Sequence, residues 1–158
     1  MLRNSWEVVT ISLILKPITG ENRDIAEALT VFPHQAGYIE TVRECLKEAD
    51  QLDAWRPICI LDGDIPIGFA MYGRITEPAN TRLWFDRFLI DRRYQGKGYA
   101  KPAIQLILKD MQVHYPNTDI YLSVYEENQQ AIALYQSFGF VFTGELDSKG
   151  EKIMLHTV

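Results

Sequence analysis

Metal-ligating and basic residues are scarce in this sequence. The chain of 158 residues has two cysteines, Cys45 and Cys59, and three histidines, and none of them stands at a metal-ligand spacing. We therefore expect no metal site, and we expect the two thiols to pack as small hydrophobic side chains. Sixteen Lys and Arg against twenty-one Asp and Glu give a net charge of −5. That balance argues against a nucleic-acid partner and suits a cationic small molecule.

Long apolar stretches are missing as well. No run is long enough to cross a membrane, and the apolar run from Ile11 to Leu15 is short and lacks a signal-peptide cleavage site. We therefore expect a cytoplasmic protein without a membrane partner. Hydrophobic residues make up 47% of the chain. That share suits one compact domain over residues 1–158, with residues 1–10 as a loose leader.

The order of apolar and polar residues predicts a mixed sheet with helices on both faces. Single strands are predicted at 11–18, 82–90 and 120–124. Two hairpins are predicted, one turning at Asp62-Gly63 and the other near residues 148–150. Helices are predicted at 21–29, 36–52, 103–114 and 128–138, with Pro102 opening the third and Gly139 closing the last.

The stretch RYQGKGYA, residues 93–100, joins a long predicted strand to an amphipathic helix. A helix that begins there presents unpaired backbone N–H groups and the positive end of its dipole. Glycines let the main chain approach an anion closely. The amides of Gln95 to Ala100 would then donate to a diphosphate, and Lys97 or Lys101 would add positive charge. The same residues are also typical of a plain strand-to-helix turn that needs glycine for its geometry.

Two motifs in this order resemble the GNAT superfamily of N-acetyltransferases. The pattern Arg93-x-x-Gly96-x-Gly98, after a strand that ends in Ile90, is similar to the acetyl-CoA-binding signature of that superfamily. Residues 128–140 resemble its N-x-x-A-x-x-L-Y-x-x-x-G-F segment. The resemblance implies an α/β (α+β) architecture: a central, mixed, mostly antiparallel sheet of about seven strands, splayed in the middle, with helices on both faces.

A narrower resemblance covers most of the chain. The segments GFAMYG, DRFLIDRRYQGKG, IYLSVYEEN, AIALYQSFGF and GELDSKGEKIM look like the spermine/spermidine N-acetyltransferases of the bacterial BltD type. The segment HQAGYIETVRECL resembles the acceptor-side helices of that group. This implies acetyl-CoA as the cofactor and a small-molecule polyamine as the acceptor. No cysteine or serine stands in an activated context, so direct transfer in a ternary complex is expected.

The resemblance implies that the cofactor is bound by the strand before the glycine joint, by the joint itself and by the last helix. The residues at the first two positions are Phe88, Leu89, Ile90, Gln95, Gly96, Lys97, Gly98, Tyr99, Ala100 and Lys101. Asn128 and Tyr135 stand seven residues apart, on one line of their helix. We expect the Asn128 amide on the pantetheine arm and Tyr135 at the sulfur as the general acid. The alternatives are an N-cap for Asn128 and a half-buried packing role for Tyr135.

Asp86 is the candidate that holds the acceptor ammonium or passes its proton on through water. With strict alternation it shares a strand face with Trp84 and Phe88. An acid among aromatic residues on a central strand is unusual. The alternative is a structural salt bridge with a neighbouring arginine, namely Arg74, Arg82 or Arg87.

The acceptor mouth is predicted from the segments beside this strand. The residues expected to contact the amine are Gln35, Tyr38, Glu40, Trp84, Asp86 and Glu126. Glu40, Glu44 and Glu48 repeat every four residues, which is typical either of a solvated helix face or of an acidic rim for a polycation. For Glu126, a solvated loop position is the alternative.

Three functions follow from these residues. The first is an N-acetyltransferase acting on spermidine or spermine. The second keeps the chemistry but acts on a protein amine or an aminoglycoside, and the third is a non-catalytic sensor of acyl-CoA. Tyr135 and Asn128 argue against the sensor, and the acidic charge favours a polycation. A homodimer is a further expectation, since many members of the family dimerise.

Overall fold

The computed structural model describes residues 11–158, and every structural statement below refers to that part of the chain. Seven strands form one sheet in the order β1-β2-β3-β4-β5-β7-β6. The strands are β1 (Leu13–Pro17), β2 (Trp55–Asp62), β3 (Ile65–Thr76), β4 (Thr81–Ile90), β5 (Ile120–Val124), β6 (Val141–Leu146) and β7 (Lys152–His156). The helices are α1 (Arg23–Glu27), α2 (Val42–Gln51), α3 (Ala100–His114) and α4 (Gln129–Gln136). The predicted mixed, mostly antiparallel sheet is confirmed.

The sheet opens in its middle, between β4 and β5. These two strands run parallel and pair only through Leu83 with Ile120 and Trp84 with Tyr121. Beyond that point β4 continues along β3, whereas β5 continues along β7. The main chain that faces the gap therefore has no strand partner. The predicted splay is confirmed, and it leaves a cleft between the carboxyl ends of the two strands.

Helices cover both faces of the sheet, and each face has its own core. On one face α3 and α4 bury side chains such as Ile107 and Ile132. On the other face α1 and α2 bury a second cluster that includes Leu46 and the two cysteines. Cys45 and Cys59 are buried and unpaired, as predicted. Each fully buried aliphatic side chain contributes about 1.5–3 kcal/mol, so both cores hold the strands that border the cleft.

The second helix is shorter than its periodicity predicts. The pattern predicts a helix over residues 36–52, whereas α2 covers Val42–Gln51. Thr41 has extended backbone, and its Oγ1 accepts a hydrogen bond from the Glu44 N–H at 3.2 Å, so it caps the helix. Residues 36–40 lie outside the helix. Glu40 therefore does not share a helical face with Glu44 and Glu48.

A β-bulge in β4 changes the direction of its side chains at Asp86. Met71 and Tyr72 are adjacent in β3, but their partners in β4, Arg87 and Phe85, are two positions apart. Asp86 is therefore the extra residue of the bulge. Phe85 and Phe88 consequently pack in the same core, with their ring centroids 6.0 Å apart. The expectation that Trp84, Asp86 and Phe88 share one face is wrong, because the bulge breaks the alternation between Trp84 and Phe88.

Two other expectations depend on the limits of the described chain. The single domain over residues 1–158 stays a prediction, because residues 1–10, the predicted leader, lie outside the described residues. Between residues 11 and 158 no helix is long and apolar enough to cross a membrane.

Gly139 follows α4 with a φ of +91°, as predicted for the glycine that ends this helix.

Candidate active site

The splay between β4 and β5 opens into a cleft of about 870 Å³. Its wall is built by the end of β4, the glycine joint, the start of α3, one side of α4 and the segment before α2. Most of the residues predicted to bind the cofactor or the acceptor line it. They are Gln35, Tyr38, Glu40, Asp86, Phe88, Leu89, Ile90, Gln95, Gly96, Gly98, Tyr99, Ala100, Lys101, Asn128 and Tyr135. The volume lies in the range of small-molecule sites.

The glycine joint presents a row of unpaired main-chain donors. Within the described part of the chain, no backbone N–H from Gln95 to Lys101 donates a turn or cap hydrogen bond. Gly96 and Gly98 have φ values of +75° and +85°, and a Cβ at either position would meet no atom within 4 Å. Tyr99 provides no side-chain cap for α3, and the first turn of that helix has no acidic residue. The helix terminus is therefore open to an anion.

This corner fits the diphosphate of coenzyme A. The unpaired donors, the open space in front of the glycines and the Lys101 side chain in the first turn of α3 are what a diphosphate requires. From there the main chain of Phe88 to Ile90 leads along the cleft without a β5 partner. An extended arm that carries amides can pair with such a strand edge.

Two side chains fix the glycine joint against the rest of the fold. The buried Asp91 carboxylate accepts from the backbone N–H groups of Thr30 and Arg93, both at 3.0 Å, and from Arg93 Nε at 2.8 Å. Burial acts to raise the pKa of Asp91, but these hydrogen bonds outweigh it and lower the pKa. Gln95 donates from Nε2 to the carbonyl of Ile90 at 2.9 Å. These hydrogen bonds fix the glycine joint to the rest of the fold, and Gln95, Gly96 and Gly98 of the joint line the cleft.

Tyr135 lines the cleft from α4. Phe85 and Phe140 hold its ring edge-on, with centroid distances of 6.1 and 5.9 Å. No hydrogen bond from the residues that the structure describes contributes to the pKa of its hydroxyl. Burial raises the pKa of Tyr135, so the hydroxyl keeps its proton at neutral pH. A protonated phenol at the cleft wall is suited to give a proton to a departing thiolate.

Asn128 combines a capping role with a place in the cleft wall. Its Oδ1 accepts from the backbone N–H of Ala131 at 3.3 Å and so caps α4. The capping alternative is therefore confirmed. The Nδ2 of Asn128 has no hydrogen-bond partner in the described chain. Asn128 lines the cleft on the same side as Tyr135, seven positions earlier in the sequence. Nδ2 is therefore available as the donor that the predicted contact with a pantetheine amide requires.

Asp86 and Arg87 form an ion pair at the cleft wall. Arg87 Nη1 lies 2.6 Å from Asp86 Oδ2, and only 14% of the Arg87 side chain is exposed. The salt-bridge alternative is thus confirmed, with the nearest of the three arginines considered. Burial raises the pKa of Asp86 to about 6, while the charge of Arg87 opposes the rise and the charges of Glu48 and Glu40 add to it. Such a carboxyl group exchanges protons close to neutral pH.

The segment before α2 contributes to the wall as predicted, but two of its side chains are engaged. Gln35 and Gln95 exchange two amide hydrogen bonds of 3.0 and 2.9 Å. Glu40 lies 3.0 Å from Arg87 Nε and 2.8 Å from Lys149 Nζ. Burial acts to raise the pKa of Glu40, but the hydrogen bond from Lys149 and the charge of Arg87 outweigh it and lower the pKa.

Three of the predicted residues do not line the cleft. Trp84 precedes the splay and packs beside Tyr121, with ring centroids 5.7 Å apart. Lys97 Nζ lies 5.7 Å from the centroid of a neighbouring tyrosine ring. Glu126 is 68% exposed and pairs with Lys152 at 3.1 Å, which matches the solvated-loop alternative.

The structure adds residues that no motif in the sequence indicates. Tyr125, just after β5, lines the cleft and lies 6.0 Å from Tyr38 between ring centroids. Glu151, just before β7, lines it as well. Burial raises the pKa of Glu151 to about 7, and the hydrogen bond and charge of Asp147 add to the rise. Only the pairing of distant strands brings these residues to the cleft. Between residues 11 and 158 no group of His, Cys, Asp and Glu side chains is arranged to hold a metal ion.

A splayed sheet, a glycine corner at a helix terminus and a tyrosine on the following wall fit the binding of a coenzyme A thioester. The family model described as Acetyltransferase (GNAT) family matches residues 22–140, and the chain belongs to this family. It is an N-acetyltransferase of the class that uses acetyl-CoA.

More particularly, the chain is 42% identical over 150 residues to the spermine/spermidine N(1)-acetyltransferase of Bacillus subtilis (strain 168), covering 92% of this chain and 98% of that relative. It is 41% identical over 150 residues to a probable spermine N(1)-acetyltransferase of Bacillus subtilis subsp. natto, with the same two shares. The resemblance to the BltD-type enzymes is confirmed.

Solved structures share the fold. The spermidine N-acetyltransferase of Vibrio cholerae, crystallised with CoA and spermine, has a TM-score of 0.67 at 24% identity, covering 90% of this chain and 92% of that chain. A domain from Methanocaldococcus jannaschii has a TM-score of 0.72 at 17% identity, covering 94% of this chain and 100% of that chain. The predicted GNAT fold is therefore confirmed.

Proposed function

We propose that this protein transfers the acetyl group of acetyl-CoA to a primary amine of spermidine or spermine, by direct transfer in a ternary complex. Four carboxyl groups line the cleft, those of Glu40, Glu44, Asp86 and Glu151, and the observation that carries the proposal is the set of Glu40, Asp86 and Glu151 among them. All three line the same cleft, where their negative charges can attract one polycation. The names of the two Bacillus relatives support the same acceptors.

The cofactor side of the cleft has residues for each part of the donor. Acetyl-CoA, when bound, supplies an acetyl thioester. The amides of Gln95 to Lys101 hold a diphosphate, and the main chain of Phe88 to Ile90 holds and orients the arm that follows it. Asn128 adds its free Nδ2 donor. Main-chain donors at the end of β4 polarise the acetyl carbonyl oxygen.

The acceptor side must bind a cation and then remove a proton from it. An alkylamine has a pKa of about 10, so it arrives as an ammonium that cannot attack. Asp86 and Glu151, with pKa values of about 6 and about 7, are ionised on the alkaline side of neutrality and can accept that proton. We assign the base to Asp86, which Arg87 holds in place. Tyr135 gives its proton to the departing thiolate and is the general acid.

A panel of acceptors tests this function. The purified protein is given acetyl-CoA with spermidine, spermine, a diamine, an aminoglycoside and a lysine peptide, and free thiol is followed over time. We expect thiol release with spermidine and spermine and little with the other acceptors. Release with the peptide or the aminoglycoside alone would overturn the polyamine assignment. Acetyl-CoA binding without thiol release from any amine would favour the acyl-CoA sensor.

Location and self-association belong to the same proposal. We propose a cytoplasmic enzyme, and the two unpaired buried cysteines support a reducing compartment.

We also propose a homodimer. Its support is the exposed apolar surface of Val141, Phe142 and Leu146 on the edge strand β6. Light scattering on the purified chain tests this, and a monomer at micromolar concentration would contradict it.

A further inference from the structure

One ammonium group of the chain itself already pairs with a carboxylate of the cleft wall. Lys149 stands in the turn between β6 and β7, and Glu40 stands just before α2, 109 positions away along the sequence. The Lys149 Nζ donates to Glu40 Oε1 at 2.8 Å. Its charge also acts on Asp86 and on Glu151. Glu40, one of the carboxyl groups proposed to attract the acceptor, is therefore already paired with an ammonium of the chain.

The chemistry of this group matches the proposed substrate. A lysine side chain is a primary ammonium on a flexible four-carbon stem. Spermidine carries the same aminobutyl group as one of its two arms. A carboxylate that pairs with the Lys149 ammonium in the free protein can pair in the same way with the ammonium of such an arm.

The two cations that contact Glu40 differ in how firmly they are held. Arg87 is only 14% exposed and also pairs with Asp86, so it is a fixed part of the wall. Lys149 is 56% exposed and Glu40 35% exposed. An ion pair with that exposure is weak, so a competing ammonium can displace Lys149.

We propose that Lys149 is a specificity-determining residue that occupies an ammonium subsite of the acceptor cleft until a polycation displaces it. The inference rests on the proposed polyamine acetylation. A polyamine can take the place of Lys149 at Glu40 with one ammonium while it presents another amine for transfer. A monoamine has a single nitrogen and cannot do both. Lys149 thus tunes the affinity for polycations and sets a minimum charge for good acceptors.

The fold of the hairpin turn does not depend on this side chain. The Asp147 carboxylate accepts from the backbone N–H groups of Lys149 and Glu151, both at 2.8 Å. The Asp147 N–H in turn donates to the Glu151 carbonyl at 2.9 Å, and Gly150 takes the positive φ of +82°. Because these bonds involve only main chain and Asp147, Lys149→Met removes the pair with Glu40 and keeps the turn.

The test compares three variants with the unaltered protein. Lys149→Met removes the ammonium and Lys149→Arg keeps the charge. Lys152→Met makes the same change of net charge on the same hairpin, at a residue that pairs with Glu126 and not with Glu40. Spermidine and propylamine are titrated as acceptors at low ionic strength, with thiol release and calorimetric binding as the two measurements. For Lys149→Met we expect the spermidine KM and Kd to fall by about two- to fivefold, because the competing pair is lost. We expect a smaller fall for propylamine.

The outcomes separate this inference from the function on which it rests. Lys149→Arg and Lys152→Met should both keep the spermidine KM of the unaltered protein. An equal effect of Lys152→Met would mean that net charge alone is responsible and would overturn the inference. A higher or unchanged KM for Lys149→Met, while the unaltered protein remains active, would overturn it as well. If the unaltered protein neither binds nor acetylates spermidine, both the proposed function and this inference fall.

Discussion

Gln35 and Gln95 exchange two side-chain amide hydrogen bonds, of 3.0 and 2.9 Å, and so connect the segment before α2 to the glycine joint. Gln95 Nε2 also donates to the carbonyl of Ile90, the last residue of β4. The sequence predicts Gln35 to contact the acceptor, and it does line the cleft. Its amide, however, is bonded to a residue of the cofactor side. The pair therefore supports the joint that receives the diphosphate.

The first prediction concerns this support. Gln35→Ala removes both hydrogen bonds to Gln95, each worth about 1 kcal/mol, and leaves the joint less firmly held. We expect the KM for acetyl-CoA to rise several-fold while the KM for spermidine changes little. Gln136→Ala, at an exposed position of α4 outside the cleft, serves as the control. An effect of Gln35→Ala on the spermidine KM alone would return this residue to acceptor binding.

The glycine joint and the order of strands and helices along the chain could be predicted because their signals are local, whereas Tyr135 was indicated by the family resemblance. Glycine at a strand-to-helix joint, apolar periodicity and turn residues each act within a few positions. The direction of the Asp86 side chain cannot be predicted from such local signals. Whether its side chain follows the alternation of β4 is decided by the pairing with β3, and the bulge is not visible in β4 alone. In the same way, Thr41 starts α2 later than its apolar spacing indicates.

Glu151 and Lys149 were beyond prediction for a related reason. They stand in a short polar turn within the segment GELDSKGEKIM, which resembles the BltD-type enzymes, but that resemblance indicates no site role for either residue. Their place beside the cleft follows from the pairing of β7 with β5, which brings the end of the chain back to the splay. Long-range pairing of this kind leaves no periodic signal in the sequence near the residues that it positions.

The second prediction concerns the general acid. Tyr135→Phe keeps the ring that packs between Phe85 and Phe140 but removes the hydroxyl. Because general acids contribute about 10²- to 10⁴-fold, we expect kcat to fall within that range. Acetyl-CoA affinity, measured by calorimetry, should stay within about twofold, since the main chain provides the binding energy. Tyr115→Phe, which changes a core tyrosine outside the cleft, is the control and should keep kcat. Parallel losses of kcat and of affinity would show that Tyr135 acts through packing.

The third prediction concerns the glycine joint. Gly98 has a φ of +85°, and a Cβ there would project into open space in front of the donors. Gly98→Ala should cost about 1 kcal/mol of unfolding free energy and also raise the KM for acetyl-CoA. Gly63→Ala, with a φ of +59° in the β2–β3 turn, should cause a similar strain without changing that KM. Equal KM values for the two variants would show that the joint needs glycine only for its turn geometry.

The fourth prediction concerns pH. Asp86 and Glu151 have pKa values raised to about 6 and about 7, chiefly by burial. Both bind protons as the pH falls through those values, and a protonated carboxyl neither attracts an ammonium nor accepts its proton. The kcat/KM for spermidine should therefore rise with pH between about 6 and about 7. Glu151→Gln should move the half-maximal point of that rise toward the lower value, which belongs to Asp86.

That last variant has an informative counterpart. Asp86→Asn removes the proposed base and should lower kcat at every pH rather than shift the profile. If instead Glu151→Gln abolished turnover and Asp86→Asn only shifted the acidic limb of the pH profile, Glu151 and not Asp86 would be the base. An unchanged pH profile of kcat/KM in both variants would show that neither carboxyl group binds the acceptor or accepts its proton.

We propose that one cleft holds the cofactor diphosphate on the unpaired amides of Gln95 to Lys101 and the acceptor ammonium among Glu40, Asp86 and Glu151. The most direct test is a crystal structure of the protein with coenzyme A and spermidine. We predict the diphosphate oxygens within hydrogen-bond distance of those amides, the sulfur beside the Tyr135 hydroxyl and an ammonium of spermidine at Glu40 in place of Lys149. A cofactor bound outside the splay between β4 and β5, or a spermidine bound away from the three carboxyl groups, would contradict the account.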